Sequence, residues 1–168
     1  MKNKNILNIF ESIVEDKYMI RYIALNRAVQ LMYQHLHWIT KGTSFYSDHL
    51  LFERLYLKLT EEIDQVAEKS IGLSSEESAC PIMSTRLASK LLDSMFPDFN
   101  TSGDASYFVE CAIYLEMLFL DQNKRLYDAL SKNDSITLGL DDMIMSIHSS
   151  HEENLYLLRQ RYKAESIV

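Results

Sequence analysis

Five side chains of metal-ligand type lie within one stretch of the chain: His37, His49, Glu53, Asp64 and Glu68. His49 and Glu53 are four residues apart, as are Asp64 and Glu68. On a helix each such pair shares one face. The two pairs cannot share one ion. His49 and Asp64 are fifteen residues apart, which is about 22 Å along a helix axis. Two copies running antiparallel across a two-fold axis would bring the His49 end of one chain to the Glu68 end of the other. The spacing therefore points to a metal site that exists only in a dimer. Carboxylates are hard oxygen donors, and imidazole suits iron and zinc. Structural zinc more often takes cysteine in a closed tetrahedron, and the two cysteines, Cys80 and Cys111, lie elsewhere.

A helical wheel sharpens this. With His49 at zero, Phe52, Leu55, Tyr56, Leu59, Ile63 and Val66 fall in one arc, the expected core stripe. Arg54, Lys58, Glu61, Gln65 and Lys69 form a solvated face. His49, Glu53, Asp64 and Glu68 fall in the remaining arc, with Leu50, Leu57 and Ala67 among them. Leucines mixed with acids and a histidine suit a subunit interface with a metal site at each end.

The elements that must position these residues are long helices. The chain of 168 residues has only four glycines and two prolines, so it has little material for many turns. The first helix is expected from about Asn5 to Ile39, ending near Gly42 in a left-handed cap. The second starts after Ser44 or Ser47 and runs to about Ile71, with Gly72 following it. The third runs from about Ala105 to Leu130, and the fourth from about Leu138 to Lys163. The long connection over 73–104 crosses the bundle, with a short helix over Ser84–Met95. The expected fold is all-α: one domain over 1–168, a four-helix bundle with an extra helix in its central crossover.

The net charge of −7 argues against a general nucleic-acid surface. Cysteines without a CxxC fit a reduced compartment. No apolar run approaches the roughly 20 residues that span a bilayer. AIYLEMLFL, the strongest run, is broken by Glu116. The expected setting is the cytoplasm, without a membrane.

The segment HWITKGTSFYSDHLLFERLYLKLTEEIDQVAEK resembles the signature of the Dps family of mini-ferritins. Trp38, Gly42, Phe45, His49, Glu53, Asp64, Ala67 and Glu68 fall in the family's register, most strongly over residues 33–72. The resemblance implies a ferritin-like bundle assembled as a homo-oligomer, a dodecameric shell, with a di-iron (Fe) ferroxidase centre at each two-fold interface. His37 and His49 would come from one subunit, and Asp64 and Glu68 of the partner subunit would complete the site. Glu53 would sit with His49 near a second, weaker iron position; many family members carry aspartate where this chain has Glu53. The implied reaction is oxidation of Fe(II) by H2O2 or O2, with ferric mineral stored in the shell and cells protected from oxidative damage.

Several residues lie outside that set. Asp128, Asp134, Asp141 and Asp142 fall where the family lines an acidic pore. His35 reads as structural, and His148 with His151 as a polar face of the last helix. A ferritin-type site inside one bundle needs E-xx-H on the second and fourth helices, and neither helix has it. The termini offer few basic residues, so DNA binding is expected to be weak or absent. The alternative is a non-catalytic helical assembly or partner-binding protein that keeps the fold.

Overall fold

The computed structural model describes residues 18–133 and 135–165. It contains five α-helices in the order α1 (Tyr18–Ile39), α2 (Phe45–Leu73), α3 (Pro81–Met95), α4 (Ala105–Lys132) and α5 (Leu138–Glu165). A 3-10 turn, Glu76–Ala79, precedes α3. Among the described residues there is no strand. The part of the first expected helix before Tyr18 lies outside the described residues, as does Asp134.

Short links, residues 40–44 and 133–137, join α1 to α2 and α4 to α5. Links of this length fold two helices back to back. α1 packs against α2 and α4, and α5 packs against α4 and α2. The result is the four-helix bundle expected from the sequence. The crossover over 74–104 carries α3, which lies along the outer side of α1. Ala24, Ala28 and Ala88, all buried, let α1 and α3 approach closely. α1 is therefore covered on most sides, and Tyr22, Ile23, Leu25, Val29, Tyr33 and Leu36 are all buried. Each large apolar side chain fully buried contributes on the order of 1.5–3 kcal/mol.

Helix ends follow local chemistry. The turn after α1 has Gly42 at φ +89, a left-handed conformation that costs side-chain-bearing residues about 1–2 kcal/mol. The Asp104 side chain caps α4 by accepting from the Tyr107 N–H at 2.9 Å. α3 begins earlier than expected because Pro81 occupies its first turn, where a missing N–H is harmless. α2 runs through Gly72 to Leu73, so Gly72 belongs to its last turn instead of following it. Both thiols are unpaired. Burial pushes the Cys111 thiol up to about 11, which keeps it unreactive. No described helix is long and apolar enough to cross a membrane.

Candidate metal centre

His37 lies in the last turn of α1 and His49 at the start of the second turn of α2. The turn at Gly42 folds one onto the other. Their rings stack with centroids 3.7 Å apart. Each ring Nδ1 lies 3.0 Å from the other residue's backbone carbonyl. A carbonyl oxygen only accepts, so both Nδ1 atoms must donate. That fixes each neutral imidazole with its proton on Nδ1 and leaves its Nε2 as a lone-pair donor. Such orientation by a second hydrogen bond is the usual support of a metal-binding histidine. Phe45 stacks on the outer face of His49 at 5.1 Å, and Tyr56 meets His37 edge-on at 5.3 Å. His37 is buried and His49 half-buried.

Glu53 stands one turn beyond His49 and is half-buried. Asp64 and Glu68 are exposed near the other end of α2, about 22 Å away by helix rise. The fold thus brings His37, His49 and Glu53 to one end and leaves Asp64 and Glu68 at the other. Among the described residues, no three histidine, cysteine or acidic groups within a protomer are arranged to hold a metal ion. Between the two ends runs an uncovered apolar stripe. Leu31 and Trp38 of α1, with Tyr46, Leu50 and Leu57 of α2, are each more than two-fifths exposed. The leucines that the wheel mixed with the acids do point outward, while Phe52, Leu55, Leu59, Ile63 and Val66 are buried. Tyr56 is only partly buried, packed at the core's edge.

A second polar cluster was not anticipated. His151 is not on a polar face; it is 1% exposed, in the bundle interior. Its Nδ1 lies 2.5 Å from Glu116 and its Nε2 lies 3.0 Å from Glu62. Both ring nitrogens therefore donate, and the ring is an imidazolium. Burial alone would push its pKa down, but the two carboxylates outweigh that and raise it to about 9. Phe119 stacks on the ring at 3.7 Å. The Tyr33 hydroxyl donates to the other Glu116 oxygen. All four long helices meet in this cluster, and the ring stands between the two carboxylates. The sequence does carry its signal. His151 follows the buried Ile144 and Ile147 at helical spacing, Glu62 lies between Leu59 and Val66, and Glu116 interrupts an apolar run. His35 packs edge-on against Phe99 at 5.5 Å, in keeping with a structural role.

One further buried pair joins α2 to α5. Asp48, fully buried, accepts two hydrogen bonds from Arg161 at 2.6 and 2.8 Å.

Helix order, crossover helix and the paired ends of α1 and α2 define a ferritin-like bundle of the Dps type. No family model matches the chain. The DNA protection during starvation protein 2 of Bacillus anthracis is 25% identical over 124 residues, covering 73% of this chain and 79% of that protein. The Dps of Thermosynechococcus elongatus superposes with a TM-score of 0.71 at 22% identity, covering 85% of this chain and 86% of the other. The Dps of Vibrio cholerae, described as a member of a broad superfamily of ferritin-like diiron-carboxylate proteins, has a TM-score of 0.69 at 17% identity and covers 85% of each chain. Sequence match and fold together make the chain similar to Dps proteins and give it their fold.

Proposed function

We propose that the protein is an iron-storing mini-ferritin whose ferroxidase centres form between subunits. The observation that carries this reading is the reciprocal lock of His37 and His49, which presets two Nε2 lone pairs at the end of α2 that also carries the half-buried Glu53. The apolar stripe along α1 and α2 supports a homo-oligomer. A two-fold axis passing near Leu57 sets antiparallel copies of α2 so that position 49 falls level with position 65 of its mate. His49 then faces Asp64 and Glu68 of the partner subunit. Burying the leucines drives association, and bringing acids to imidazoles completes an N,O ligand set suited to iron.

Fe(II) is the substrate. His37 binds one Fe(II) through Nε2, and the partner's Asp64 and the partner's Glu68 supply negative charge that stabilises Fe(III) more than Fe(II). His49 and Glu53 hold a second Fe(II) nearby. Two Fe(II) ions each give up one electron to H2O2, its O–O bond breaks, and two hydroxides form. Passing both electrons within one site avoids the one-electron split that releases hydroxyl radical. The ferric product hydrolyses to mineral inside a shell, for which twelve subunits is the proposed number. In this reading residues 1–168 act as one domain in the cytoplasm, oxidative damage is limited, and DNA binding is weak or absent at a net charge of −7.

Subunit complementation tests the reading. His37→Ala/His49→Ala chains and Asp64→Ala/Glu68→Ala chains should each lack rapid Fe(II) oxidation. In mixed dimers, one of the two centres regains a full ligand set, so co-assembled chains should recover activity. Mixed assemblies as inactive as either parent would overturn the inter-subunit centre.

A further inference from the structure

We propose that Asp48 and Arg161 are positioning residues for the His37–His49 pair, an inference that rests on the reading above. The first turn of α2 has weak local support. Its N-cap, Ser44, makes no side-chain cap bond, and Gly42, Thr43, Phe45, Tyr46 and Ser47 are exposed. Uncapped first turns fray. Yet His49 follows directly on this turn, and the tautomer lock works only if its carbonyl and ring stay opposite His37. Asp48, the adjacent residue, supplies the anchor. Its backbone N–H closes the first helical bond to the Ser44 carbonyl at 3.0 Å. Its carboxylate is gripped by the planar fork of Arg161, from near the far end of α5.

Stability alone does not explain such a pair. Desolvating two charges offsets most of their attraction, and apolar residues of similar volume are often as stable or more so. What a two-point fork does provide is a fixed direction. Asp48 cannot rotate or slide along α5 without losing one of two short bonds, so the backbone that carries His49 is fixed as well. The last helix of the bundle is thereby tied to the first hairpin at Asp48, 113 residues from Arg161 in sequence and next to the ligand His49.

The test separates positioning from folding. Co(II) serves as a redox-inert probe for Fe(II), read by its visible absorption and by quenching of Trp38, the residue next to His37. The assembled wild-type protein should show a band that His37→Ala removes. Asp48→Val/Arg161→Met replaces the pair by apolar groups. It should assemble and unfold as the wild type does, yet bind Co(II) at least tenfold more weakly, as expected when support of a metal-bound histidine is lost. Arg161→Lys, which keeps the charge but not the fork, should also bind several-fold more weakly and guards against a double variant that fails to fold. Wild-type Co(II) affinity in either folded variant overturns the positioning role while leaving the functional reading intact. Absence of a His37-dependent band in the wild type removes the functional reading and this inference with it.

Discussion

His37 and His49 hold each other in place, and that mutual hold makes their roles separable from that of Glu53. Loss of His37 removes both a donor and the partner that orients His49. The account predicts that His37→Ala abolishes tight Co(II) binding and lowers the initial Fe(II) oxidation rate at least tenfold, beyond what loss of a supporting partner alone costs. Glu53→Ala should act differently. It should retain the first equivalent of Co(II) per centre and lose the second, seen as a halved stoichiometry in an equilibrium titration. Unchanged stoichiometry would remove Glu53 from the centre. Asp64 and Glu68 were visible in the sequence as an i, i+4 acidic pair, an arrangement that costs a few tenths of a kcal/mol unless a cation offsets it. Asp48 was not visible, because its partner Arg161 is remote and nothing local marks a buried aspartate.

At the scale of helices, the interior cluster of Glu62, Glu116 and His151 binds the bundle together. The folded pKa of His151, about 9, lies above its ordinary 6.5. Its proton therefore stabilises the folded state fully below about pH 6.5, and that contribution is lost as pH rises through 9. Chemical unfolding followed from pH 6 to pH 10 should show wild-type stability falling across this window. His151→Gln should be destabilised by about 3–5 kcal/mol at neutral pH, since two buried carboxylates lose their cation, and its profile should be flatter. Parallel profiles for the two proteins would contradict the assignment. The helices themselves were largely legible. Scarce glycine and proline, the Gly42 stop and the turn-rich segment before Ala105 gave four long helices and a crossover helix. The interior cluster was harder to read. Its members pair across 35 and 89 residues, and a charged residue on a helix looks solvated until the helix facing it is known.

At the scale of the whole molecule, charge and exposed apolar surface set how the chain meets iron and other copies of itself. Asp142 and Glu68 line one open groove of about 630 Å³ between α2 and α5. With a net charge of −7, the surface attracts divalent cations, and clustered acids steer them most strongly at low salt. Asp141→Asn/Asp142→Asn should slow Fe(II) uptake several-fold at low ionic strength and less so in high salt. A rate equal to wild type at low salt would remove these acids from the entry route. Asp128 is already bonded to Lys124 at 2.8 Å and should contribute less.

The most direct test of the account is sizing the protein by gel filtration with light scattering after addition of Fe(II) and H2O2, with iron and protein followed in the same fractions. The account predicts iron co-eluting with a particle of about twelve subunits and many iron atoms per chain. A monomer or dimer carrying no more than a couple of iron atoms per chain would contradict it.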